Sequence, residues 1–163
     1  MKVVADASVL IGLSGIGLLS LLRDRFPDGV LVPPAVWREV VERGGNRPGV
    51  KEIAGATWIT VLEPKDGEVV RVLRINLDEG EAEAIALAHE QRADAVLVDE
   101  RDGRQTATEM GLQVLGTVGL LIWAKRTGRL AGNLREALDR LQERSRFRIS
   151  RAVYEAALRT VGE

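Results

Sequence analysis

Apolar residues gather in short unbroken runs along this chain, and between the runs they recur at three- and four-residue spacing. The runs are Val3-Val4-Ala5, Val30-Leu31-Val32, Trp58 to Leu62, Ala95 to Val98 and Val114-Leu115. Continuous apolar runs of this length mark strands buried on both faces, and β-branched and aromatic content strengthens the third. The helical spacing predicts one or two helices over 9–22, with Gly12, Gly15 and Gly17 permitting a break. It predicts further helices over 35–42, 50–54, 67–77, 81–90, 101–110, 117–125 and 133–143, and a last one capped by Ser150. Strands alternate with helices throughout, which argues an α/β domain with a mostly parallel sheet. No internal repeat or low-complexity segment divides the chain. It reads as a single domain, 1–163, with a C-terminal helical extension over about 132–163 set off by residues 127–133.

Composition narrows the chemistry. The 163 residues are 45% hydrophobic and 29% charged, a globular balance, with a formal net charge of −1 that announces no overall basic field. There is no cysteine and one histidine, His89, so disulfides and the usual zinc sites cannot be built. The apolar stretch 9–22 is too short and too broken by glycine to cross a bilayer. No signal-peptide layout precedes it, and a cytoplasmic location without membrane attachment is expected.

Against that background the acids stand out. Asp6 ends the first strand and Asp99 follows the fourth, each after an apolar run. Ligands in open α/β sheets bind at the carboxyl ends of the strands. The ordinary alternative for each acid is a turn or helix cap, but two strands ending alike place two carboxylates on one sheet edge. In the helix over 81–90, Ala84, Ile85, Leu87 and Ala88 form the apolar face. Glu81 falls within that face, while Glu83 points about 120° away. A carboxylate aimed at a core is costly without a partner, although an acid here also favours the helix dipole. In the helix over 35–42, Glu39 borders the stripe of Val36, Trp37, Val40 and Val41 more closely than Glu42 does. Four carboxylates with no soft ligand suit a hard cation, Mg²⁺ or Mn²⁺. Such an ion serves phosphodiester hydrolysis.

With these residues in hand, the chain resembles the PIN-domain nucleases. The resemblance rests on Val3 to Ser8, Pro33 to Val40, Gly80 to Ala88 and Val96 to Glu100, and extends through Gly111 to Gly119 and Phe147 to Ser150. It is nearest to a prokaryotic PIN-like branch with a Gly-Glu-x-Glu-Ala motif, related to VapC-type toxins. The resemblance implies a Rossmann-like three-layer α/β/α sandwich and a Mg²⁺- or Mn²⁺-dependent endoribonuclease, the toxin of a toxin–antitoxin pair. It implies Asp6, Glu39, Glu81 and Asp99 as catalytic metal ligands, with Ser8 supporting the site. The third acid is Glu where VapC-type toxins have Asp. The last motif reads Leu97-Val98-Asp99-Glu100-Arg101-Asp102 instead of Thr-Asn-Asp-x-x-Phe.

Other charges have two readings each. Glu83 and Asp102 are expected to support the acids, and Arg101 and Arg104 to touch a phosphate, or to be surface charge. Arg140, Arg144, Arg146, Arg148 and Arg151 form a locally basic run that either follows an RNA backbone or is a solvated helix end. His89 is read as structural. The expected partners are single-stranded or structured RNA, an antitoxin protein and a second copy of the chain, the last through exposed apolar faces at Leu13, Leu18 and Leu22. The alternative reading is a catalytically weak or inactive PIN-like module that binds RNA or protein. A small phosphatase of another α/β family is weaker, since no Asp-x-Asp motif follows the first strand.

Overall fold

The computed structural model describes residues 1–163. The five apolar runs form β1 (Val3–Ala5), β2 (Val30–Val32), β3 (Ile59–Val61), β4 (Ala95–Leu97) and β5 (Val114–Leu115). They pair in the order β3-β2-β1-β4-β5, and every pair is parallel, so the sheet has no antiparallel strand. Each crossover carries a helix, as parallel pairing requires.

The strand pleat sends alternate residues to opposite faces, and the core divides accordingly. Val3, Ala5, Ala95 and Leu97 join the larger apolar cluster on one face. Val4, Val96 and Val98 join a smaller one on the other. The larger cluster receives α1 (Ala7–Gly15), α2 (Ser20–Arg25), α8 (Thr117–Arg126), α9 (Leu134–Arg144) and α10 (Arg151–Thr160). The smaller receives α6 (Glu79–Glu90) and α7 (Arg101–Glu109). The result is the three-layer α/β/α sandwich.

Three further helices pack on these two clusters. α3 (Pro34–Trp37) begins at its proline, whose missing N–H costs nothing in a first turn. It continues as a π-helical segment, Arg38–Glu42. α4 is Val50–Ala54 and α5 is Gly67–Leu73. α5 stops four residues short of the predicted end and buries none of its residues.

The stretch 9–22 breaks into two helices around Gly17, whose φ of +73° lies in the left-handed region. The exposed apolar face expected there does not exist. Leu13 and Leu22 are wholly buried in the larger apolar cluster and Leu18 is half-buried against it, and α1 packs against α8 and against α9 of the C-terminal extension. Glu83 departs from the helical wheel in a similar way. α6 touches β1, β4, α3, α5 and α7, so its polar face is covered too and Glu83 is 9% exposed. No helix is long and apolar enough to cross a membrane.

Candidate active site

The strand order reverses between β1 and β4, where neighbouring connections leave in opposite directions. That is the point at which α/β sheets form a crevice at their carboxyl edge. Ala5 lies in register with Leu97, and the Asp6 N–H donates to the Leu97 carbonyl at 2.9 Å. Asp6 and Asp99 therefore leave the sheet side by side. A cavity of about 930 Å³ opens over them, lined by Asp6, Ser8, Glu39, Asp78, Glu81, Asp99 and Glu100 among others.

Each acid is held differently. Asp99 follows β4 and receives three donors. Ser8 Oγ donates at 3.0 Å, the Thr117 N–H at 2.7 Å and Thr117 Oγ1 at 2.7 Å. Burial pushes its carboxyl above the usual range, and these donors pull it back. Ser8 thus supports Asp99, from the first turn of α1. Thr117, wholly buried at the start of α8, is a partner that sequence reasoning missed.

Asp6 is 4% exposed and has no comparable set of donors. Burial, then the neighbouring Asp78, Glu81 and Glu39 carboxylates, push its pKa up to about 8, against a hydrogen bond from the Ala7 backbone. Glu81 is 6% exposed. One of its oxygens, Oε2, accepts from the Asp78 N–H at 3.2 Å while Asp78 Oδ1 accepts from the Glu81 N–H at 2.8 Å, a capping box at the start of α6. The other, Oε1, is buried with no hydrogen-bond partner. The cap and the site are therefore served by different oxygens of one carboxylate. Burial and Asp78 raise the Glu81 pKa to about 7. The α7 helix approaches Glu81 at Gly103, where a Cβ would stand 2.8 Å from Val98 Cγ1 and 3.4 Å from Glu81 Oε1.

Glu39 reaches the cavity from the π-helical segment and is exposed. Partial desolvation and Asp78 raise its carboxyl, and Arg47 and Arg43 oppose them. Asp78 and Glu100 also line the cavity, although neither was singled out as a site residue. The spacing Asp78-x-x-Glu81 is a capping-box pattern that could have linked Asp78 to Glu81.

The remaining candidates fall elsewhere. Glu83 lies outside the cavity: its Oε1 accepts from the Ala35 N–H at 3.3 Å and its Oε2 stands 4.0 Å from Arg38. It ties α6 to α3 behind the site. Asp102 is exposed in the first turn of α7 and outside the cavity lining. Arg101 lines the cavity. Arg104 does not; its Nη1 donates to the Val98 carbonyl at 2.9 Å, behind Asp99. His89 is exposed in the last turn of α6.

The donor set fits a hard divalent cation. All donors are oxygens, the acids raise one another's pKa, and Glu81 Oε1 is a buried acceptor without a donor. No three of the side chains converge as a ready ligand cage. Mg²⁺ does not need one, since it usually retains several waters and one or two carboxylates.

Comparison with known proteins bears on the family and the fold. The family model described as a PIN domain matches residues 2–163. Among solved structures, the chain is similar to a PilT N-terminus domain protein from the hyperthermophilic archaeon Sulfolobus solfataricus P2. The TM-score is 0.52 at 18% identity, over 82% of this chain and 97% of that one. At that identity the likeness is one of fold. No curated protein matches.

Proposed function

The chain belongs to the PIN-domain family, whose members are generally nucleases that use divalent metals, and on that premise we propose that it is a Mg²⁺- or Mn²⁺-dependent endoribonuclease. The observation that carries the reading is Glu81 Oε1, a buried acceptor with no donor, in the same cavity as the under-bonded Asp6. Asp6, Glu39, Glu81 and Asp99 would hold the cation, directly or through water. When bound, a divalent cation supplies Lewis acidity toward a phosphoryl oxygen and toward water.

The chain's own residues do the rest. Ser8 and Thr117 hold Asp99 in one orientation. The capping box holds Glu81 by Oε2 and leaves Oε1 turned away from that duty. Asp6 and Glu81 carry protons over much of the neutral range before a cation arrives, so cation binding releases protons and strengthens with rising pH.

The test is cleavage of single-stranded RNA with Mg²⁺ or Mn²⁺ by the parent chain and by Asp6→Asn. A loss of at least about a hundredfold is expected for the variant; equal cleavage by both sinks the reading. Our reading extends to a toxin held by an antitoxin chain over this cavity. Growth arrest on expression, relieved by a small neighbouring reading frame, is the expected result.

One observation favours a second reading, a module that binds RNA or protein without cutting. The acids do not converge as a preformed ligand cage. RNA binding without measurable Mn²⁺ affinity would favour it.

A further inference from the structure

The cavity has a second wall that the acids do not explain. Its lining includes Glu143, Arg144, Ser145, Arg146, Phe147 and Arg148, from the end of α9 and the link to α10. These residues are distant in sequence from the four acids and share the cavity with them.

The link is fastened along its length. Ser145 Oγ donates to the Leu141 carbonyl at 2.6 Å and accepts from the Phe147 N–H at 3.2 Å. The Ile149 N–H donates to Gln142 Oε1 at 3.3 Å. Phe147 and Ile149 pack on the larger apolar cluster. Burial alternates strictly: Ser145, Phe147 and Ile149 are half-buried, while Arg144, Arg146 and Arg148 are exposed. Arg144 closes α9 and Arg146 and Arg148 follow it in the link, so three exposed arginines succeed one another along the cavity lining.

These arginines are left without anionic partners. The chain's ion pairs join the N-terminus to Asp28, Arg38 to Glu79 and Glu83, and Arg151 to Glu155. None involves Arg144, Arg146, Arg148 or Arg101, although carboxylates line the same cavity. Their sequence neighbours behave otherwise. Arg140 donates to the Ile16 carbonyl at 2.9 Å, and Arg151 pairs with Glu155 at 3.0 Å. The basic run thus divides into two arginines with partners elsewhere in the chain and three that line the cavity without an ion pair.

From this separation of charge we propose that Arg144, Arg146 and Arg148, with Arg101, form a phosphate-binding rim. It holds the backbone of a single-stranded polynucleotide on phosphates that flank the one over the acids. The inference rests on the nuclease reading of the floor and adds the residues of this chain that hold the polymer's backbone beside it. A succession of cations matches a repeating anion. The acidic floor repels phosphate, so affinity for the chain must come from the rim. A rigid duplex cannot lower a phosphate to Asp6, which is 4% exposed, whereas a single strand can bend into the cavity.

The test is binding of a fluorescent 12-mer of uridine, and of thymidine as deoxynucleotide, by anisotropy between 0.05 and 0.3 M salt, conditions spanning roughly the range in which phosphate contacts show. The chain used is full length, with Mg²⁺ and with Asp6→Asn to prevent cleavage. Arg144→Gln, Arg146→Gln and Arg148→Gln together should flatten the slope of log affinity against log salt by about 2. They should also weaken binding roughly a hundredfold at 0.1 M salt. A control of equal charge change, Arg71→Gln, Arg126→Gln and Arg159→Gln, lies outside the cavity on exposed surface and should leave the slope in place. Binding of uridine alone, or of both oligomers, supports the rim and identifies which backbone it accepts. An unchanged slope in the cavity variant, or equal flattening in both sets, overturns it. Flattening in the cavity set together with no cleavage by the parent chain removes the ribonuclease reading and keeps the rim. Cleavage with an unchanged slope does the reverse.

Discussion

Asp99 and Asp6 leave adjacent strands of the same sheet, yet their surroundings are opposite. Asp99 is held by three donors from α1 and α8. Asp6, with Glu81 beside it in the cavity, is desolvated, crowded by like charge and short of donors. Burial alone raises every one of these carboxyls; what separates them is how far hydrogen bonds reverse the rise. The contrast teaches that one half of the floor is satisfied by donors within the chain and the other half is left short of them. Asp99 is a fixed post. Asp6 and Glu81 are the adaptable side.

The largest expected effect tests the incomplete half by pH. Asp6 and Glu81 have folded-state pKa values of about 8 and about 7, above their ordinary ones. A raised carboxyl binds protons better in the folded chain, so its contribution to stability is full below pH 4 and is lost as pH rises through 7 to 8. The metal-free chain should lose on the order of 3 kcal/mol between pH 5 and pH 8 through Asp6 alone. Denaturant unfolding at the two pH values measures it. Asp6→Asn should remove most of that loss, and saturating Mn²⁺ should reverse it in the parent chain. A flat pH profile in the parent chain would erase the distinction between the two halves.

The next effect makes Asp99 more like Asp6. Thr117→Val keeps the volume and removes one buried donor, leaving the backbone N–H in place. A cost of about 2 kcal/mol is expected, since the bond is to a charged acceptor, together with an upward move of the Asp99 pKa that NMR titration would follow. If that pKa stays put, the donors are not what distinguishes the two acids. Ser8→Ala is the mildest. Ser8 is half-buried and its bond to Asp99 is the longest of the three, so about 1 kcal/mol is expected, with a smaller pKa change in the same direction. A larger effect for Ser8→Ala than for Thr117→Val would invert the ranking of the donors.

Much of this molecule is legible in its sequence. Val3 to Ala5 and Ala95 to Val98 read as buried strands because a strand covered on both faces has no solvent side to mark with polar residues. Glu81 stood out because an acid at core spacing breaks a local pattern. The pattern was less informative where neighbours covered the polar face. Glu83 looked solvated and is buried against α3, and Leu13 and Leu22 looked exposed and are buried in the larger apolar cluster. A helical wheel describes one helix and carries nothing about what packs around it.

Local order along the chain therefore established the elements, the pleat that splits the core into two faces, and the strand-end positions of Asp6 and Asp99. It did so because periodicity and chain-end geometry are short-range properties. Partnership across the fold came from elsewhere. Thr117 reaches Asp99 over 18 residues, Glu39 reaches the cavity from a π-helical turn, and Arg144 to Arg148 meet the acids from the far end of the chain. Those meetings depend on the order β3-β2-β1-β4-β5 and on where α9 and α10 dock, and both are outcomes of packing the whole core at once.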